Sequence, residues 1–153
     1  MIRAWEGNGT PRTLLAESYH EDSPTISPNS RWMAYTSYVS GTAEVYVRSF
    51  PDMGPVTKIS IDVGIEPRWR PDGEAIFYRS RLGLHEVEVL EGIGGLVPGS
   101  RSNVDATVYR RQANAAAWDV HPDGDRFIFV SATTTTGASY QITLNATTRP
   151  GGR

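Results

Sequence analysis

"HPDGDRFIFV", residues 121–130, joins a turn to a strand, and the same ten-residue phrase stands twice upstream, as "RPDGEAIFYR" at 70–79 and more loosely as "SPNSRWMAYT" at 27–36. In Pro-Asp-Gly the proline sets φ for the first turn position and the aspartate bonds back to nearby backbone N–H groups. The glycine then takes the left-handed conformation that a Cβ resists. Such a turn closes a tight hairpin between antiparallel strands. Pro71-Asp72-Gly73 and Pro122-Asp123-Gly124 fit it. Pro28-Asn29-Ser30 puts serine where glycine belongs, which costs about 1 kcal/mol if the turn geometry is kept.

Aligned on Pro28, Pro71 and Pro122, the copies lie 43 and 51 residues apart. The surplus in the second interval fits "GIGGLVPGSRS" (92–102), read as a Gly-rich inserted loop. A period in the low forties, filled with strands, is the length of one four-stranded propeller blade. After each turn comes a nearly continuous apolar run (32–37, 75–79, 127–131), which suits a strand covered on both faces. Alternating runs follow at 43–50, 84–90 and 139–145 and predict half-buried strands. Weaker strands at 56–61 and 105–111 close the first two units, and short strands at 24–27, 67–70 and 117–120 precede the turns.

The expected fold is all-β, a partial β-propeller of about three four-stranded antiparallel blades. It forms a single segment over 1–153: a blade-closing strand at 11–17, blade one at 24–61, blade two at 65–111, blade three at 114–145 and a tail at 146–153. The last unit lacks its fourth strand and the N-terminus carries one without a blade. Closed propellers have four to eight blades. Two chains are therefore expected to pair head to tail as a homodimer closing a six-bladed ring, residues 11–17 of each completing the last blade of the other.

Composition narrows the function. With 39% hydrophobic and 21% charged residues the chain reads as globular rather than disordered. A net charge of −2 offers no global field for nucleic acid, which is not an expected partner. The absence of cysteine removes thiolate catalysis and Cys-based zinc sites. No apolar run approaches the ~18 residues of a membrane span, and "MIRAWEGNGT" lacks the apolar stretch of a secretion signal.

Residues with chemistry in them have plainer uses here. His20-Glu21-Asp22 reads as a solvated connector rather than a metal site, His121 as a turn edge, and His85 as surface or packing. Asp72 and Asp123 recur with the turn and are assigned to turn hydrogen bonds. "GIGGLVPG" lacks the Gly-Lys-Ser/Thr ending of a phosphate loop, and no Gly-x-Ser-x-Gly nucleophile elbow occurs. Trp32, Trp69 and Trp118 lie in the repeated phrase and are expected to pack between blades. Arg68 and Asp119 could pair. No catalytic residue, cofactor or metal is expected. A rim surface is the better candidate, formed by the loops from the fourth strand of one blade to the first of the next and from the second strand to the third, which hold His20, Glu21, Asp62, Glu66, Arg110, Arg111 and Asn114.

The motifs "SPNSRWMAYTSYVSGTAEVYVRSF" (27–50), "GIEPRWRPDGEAIFYRS" (64–80) and "AWDVHPDGDRFIFV" (117–130) resemble the TolB-type, WD-repeat-like β-propeller repeat of bacteria. The likeness runs from about Thr13 to Asn145 and looks most like the last blades of propellers that follow a kinase domain in bacterial serine/threonine kinases. It implies a non-catalytic scaffold or protein-binding module presenting rim loops to a protein partner. The alternative it implies is a C-terminal accessory propeller of a larger bacterial enzyme, a serine/threonine kinase first and a prolyl-oligopeptidase-type peptidase second. No kinase motif stands in this chain. The family's compartment implies a periplasmic or extracytoplasmic place if the chain belongs to a longer protein, and otherwise a cytoplasmic one.

Overall fold

A computed structural model of the chain describes residues 1–5, 7, 9–104, 118–133 and 139–146. Among them every regular element is a strand. A small antiparallel sheet of β1 (Ile2–Ala4) and β2 (Arg12–Leu15) comes first. Two four-stranded sheets follow in chain order: β3 (Glu21–Ile26), β4 (Trp32–Ser37), β5 (Glu44–Ser49) and β6 (Thr57–Lys58), then β7 (Ile65–Trp69), β8 (Ala75–Ser80), β9 (Gly83–Gly92) and β10 (Gly95–Val104). The third contains β11 (Trp118–Val120), β12 (Arg126–Thr133) and β13 (Ser139–Ala146). The fold is all-β and antiparallel, a partial propeller of side-by-side blades.

The repeated phrase is the first hairpin of each blade. Gly73 and Gly124 take φ of 79°, and Ser30 keeps the same geometry at 59°. The N–H groups two residues past Asn29, Asp72 and Asp123 donate to those side chains at 3.1, 2.9 and 3.1 Å. The turns also pack in series: a Cβ on Gly73 would meet Pro28 Cδ at 3.6 Å, and one on Gly124 would meet Pro71 Cδ at 3.6 Å. Glycine thus serves both the turn and the seam between blades.

The apolar runs after the first two turns are buried on both faces, as their continuity predicts, whereas in the third Phe127 and Phe129 are buried and Ile128 is exposed. Side chains on β4 alternate between two seams. Met33 and Tyr35 join Ile2, Leu15 and Tyr46 against the β1–β2 sheet, while Ala34 joins Val45, Val47 and Ile59 against Trp69, Ile76, Tyr78, Val87, Val89 and Leu96 of blade two. Phe77 and Leu84 meet Trp118, Phe127 and Phe129 at the next seam. There the Phe77 and Phe127 rings pack edge to face with centroids 5.0 Å apart. Trp69 and Trp118 fill seams as expected, and Trp69 Nε1 donates to Thr25 O of blade one at 3.2 Å.

Three expectations need correction. The stretch 92–102 is not a loop: Gly94 and Gly95, at φ of 98° and 153°, turn the chain so that β10 pairs with β9 as the fourth strand, and Leu96 is buried. The strand expected at 11–17 does not stand alone, because β2 is hydrogen-bonded to β1. The run 43–50 is not half-buried. Glu44 to Val47 are all buried because seams cover both faces, and Glu44 is paired with Lys58 and accepts a hydrogen bond from Tyr46 Oη at 2.5 Å. Residues 105–111, assigned to blade two, 114–117, assigned to the start of blade three, and 147–153 of the tail lie outside the described residues.

Candidate binding surface

The first strand of each blade carries polar residues at one rim, and their fates differ. Ser23 and Glu66, each five residues before the turn proline, take positive φ of 51° and 54° at irregularities in the ladder. The Glu66 N–H donates to Thr36 Oγ1 of blade one at 3.1 Å. Arg79 Nη1 donates to Glu66 Oε2 at 2.9 Å, and both side chains are buried. Glu66 therefore ties two blades together and is not a rim contact. The strained backbone is held by those bonds.

Glu21 is also buried, at 5% exposure, opposite Ser37 in the ladder, and among the described residues neither carboxylate oxygen has a hydrogen-bond partner. Burial pushes its pKa up and Glu17 adds to the rise, against the lowering pull of the N-terminus, Arg48 and His20. This corrects its assignment to a solvated connector. His20 is exposed, its Nε2 3.1 Å from Asp22 Oδ2 and its ring edge-on to Tyr38. Among the described residues no group of three or more His, Asp or Glu could hold a metal. Arg68 and Asp119 do approach, at 3.6 Å across the seam, with Arg68 lying over the Trp118 ring. Arg110, Arg111 and Asn114 lie outside the described residues.

Asp62 lines a cavity. A groove of about 520 Å³ opens between the connector Ile61–Val63, the β8–β9 turn and β10. Its floor is Tyr78 stacked on His85, centroids 5.0 Å apart. Burial raises the Tyr78 phenol pKa against the lowering effect of a hydrogen bond with the Ile61 backbone. His85 Nε2 lies 2.6 Å from Ser80 Oγ, which also accepts the Leu82 N–H at 2.9 Å. Leu82 is 86% and Ile61 63% exposed at the mouth. Arg81 stands in the turn. Arg101 reaches over from β10, donating through Nη2 to Ile59 O at 3.3 Å. Sequence reasoning missed Arg81, Leu82, His85 and Arg101. The available signal was an exposed Arg-Leu pair in a short hairpin turn.

No protein-family model matches the chain, and no curated protein does. Solved structures do. The chain is similar to TolB from Acinetobacter baumannii, with a TM-score of 0.59 and 20% identity over 92% of this chain and 33% of that one. It is also similar to a candidate 6-phosphogluconolactonase from Bacteroides uniformis, with a TM-score of 0.52 and 14% identity over 94% of this chain and 47% of that one. At these identities the likeness establishes the fold, a TolB-like partial propeller. The chain spans about a third and about half of the two proteins' lengths. Among the described residues no helix is long and apolar enough to cross a membrane.

Proposed function

We propose that this chain is a non-catalytic propeller scaffold that presents its rim to a protein partner. The observation that carries this is the groove of blade two, where Leu82 and Ile61 expose apolar surface in a mostly apolar cavity that Asp62, Arg81 and Arg101 also line. Apolar anchors ringed by polar groups suit protein recognition better than solvation. Rigid blades would hold the loops, and loop chemistry would set the partner. The test is partner capture. Leu82→Glu with Ile61→Glu should abolish it, whereas Asp52→Arg, a substitution away from the groove, should leave it intact. Equal capture by all three proteins would refute the proposal.

The share of the matched chains that is covered favours a second reading, in which these blades belong to a larger propeller protein. They would then be an accessory part of a bacterial enzyme, a kinase before a peptidase, in an extracytoplasmic setting. Ring closure by two copies of this chain is the remaining proposal. It now requires β2 to reach β13 of the other copy while leaving β1 or carrying it along. Light scattering at twice the chain mass supports that closure, and a monomer refutes it.

A further inference from the structure

The groove's charges point to what occupies it. In blades two and three, the described arginines Arg68, Arg70, Arg79 and Arg126 each lie within 4 Å of a carboxylate. Arg81, in the β8–β9 turn, and Arg101, on β10, both line the groove and have no carboxylate within that reach among the described residues. Arg101 is pinned by backbone carbonyls of Ile59 and Gly99, which orient a guanidinium but leave its charge unanswered. Asp62 is the single carboxylate lining the cavity, so two cations face one anion. The exposed apolar side chains of Leu82 and Ile61 line the same groove. A volume of about 520 Å³ falls within the ~300–1,000 Å³ of pockets that hold small ligands or a few residues of peptide.

We propose that the groove takes a short acidic peptide segment, its carboxylates on Arg81 and Arg101 and an apolar side chain against Leu82 and Ile61. The inference rests on the rim-binding reading and gives the partner's chemistry. A basic segment would bring like charge against both arginines, and a purely apolar one would leave two guanidiniums facing it. Rim charges of this kind set selectivity and encounter rate more than raw affinity.

The probe is a fluorescein-labelled heptapeptide of alternating Glu and Leu, followed by anisotropy at low ionic strength against a Lys-Leu counterpart. The acidic peptide should bind at least about tenfold tighter than the basic one. That margin should shrink with added salt, because exposed charges are screened. The R81E/R101E protein should lose the preference or reverse it. Arg81→Glu alone, in an exposed turn, keeps the test available if loss of the Arg101 bonds impairs folding. Equal binding of both peptides, tighter binding of the basic one, or an unchanged preference in Arg81→Glu would overturn the proposal. Partner capture that depends on Leu82, combined with a preference for the basic peptide, would leave the rim reading standing and sink the acidic occupant alone.

Discussion

Blades one and two build the same corner from different residues. Tyr35 and Tyr46 face each other across β4 and β5 as Tyr78 and His85 do across β8 and β9. Aligned on the turn proline, Glu21 of blade one stands where blade two has Gly64. In blade one the corner is closed: Glu21 is buried, and the β1–β2 sheet covers Tyr35 and Tyr46. In blade two the connector lies so close that a Cβ on Gly64 would meet Ser60 Cβ at 2.7 Å and Tyr78 Cδ2 at 2.9 Å, and the groove opens beside it. The matching position thus holds an unanswered carboxylate in a filled seam of blade one and a glycine beside a ligand-sized opening in blade two.

The comparison breaks most visibly at Gly64. Gly64→Ala should destabilise the fold by about 2 kcal/mol, because the contacts are with a packed Cβ and a ring rather than a flexible side-chain end. A urea midpoint unchanged from the wild type would mean that close approach is not what glycine provides there. The groove should also lose its peptide selectivity in any folded Gly64 variant, since the connector carrying Ile61 and Asp62 must move.

At the matching position Glu21→Gln should stabilise the protein by about 1 kcal/mol at neutral pH, since it removes a buried charge without a hydrogen-bond partner. The sign of the pH dependence follows from the raised pKa. The folded state holds the Glu21 proton more tightly than the unfolded chain, so this contribution is fully present below the ordinary value of 4.5 and is lost as pH rises through the folded pKa. The groups facing it are the amino terminus, Glu17, His20 and Arg48. Denaturation midpoints between pH 4 and 8 should fall less in Glu21→Gln than in the wild type. Parallel curves would show that Glu21 ionises normally in the fold.

The two halves of that comparison were unequally legible in the sequence. Turns, apolar strands and the blade period were plain because each is local: Pro-Asp-Gly encodes its own geometry, and continuous apolar runs announce burial on both faces. β10 was missed because Gly92, Gly94, Gly95 and Gly99 erase the alternation that marks a strand, although Gly94 and Gly95 are what turns the hairpin. Glu21 read as solvated because charged residues are rarely buried without a partner, and nothing in "HEDSP" shows that Ile2 and Leu15 close the seam beside it. The groove was invisible for a different reason. Its walls come from 61–63, 78–85 and 101–103, which only the packing of connector, hairpin turn and outer strand brings together.

The smallest effect concerns the turns, where blade one again departs from its neighbours. Ser30 holds a φ of 59° in the place where Gly73 and Gly124 hold 79°. Asn29 still accepts the Arg31 N–H and the Ser27 hydroxyl, so the turn is kept despite a Cβ in the left-handed region. Ser30→Gly relieves that strain but gives the unfolded chain more freedom, so the net gain should be about 0.5 kcal/mol. In blade three the corresponding aspartate works harder. Desolvation pushes the Asp123 carboxyl up, but hydrogen bonds from Arg126, the Asp125 N–H and His121 outweigh it and hold the pKa down to about 2. Its contribution is present above the ordinary 3.8 and is lost as pH falls toward 2, opposite in sign to that of Glu21. Thermal melts should show Ser30→Gly raising the midpoint at every pH. Asp123→Asn should flatten the acid limb alone. If Ser30→Gly lowers the midpoint instead, the serine side chain holds the first turn by contacts that outweigh its backbone strain, and the three turns are not equivalent in energy.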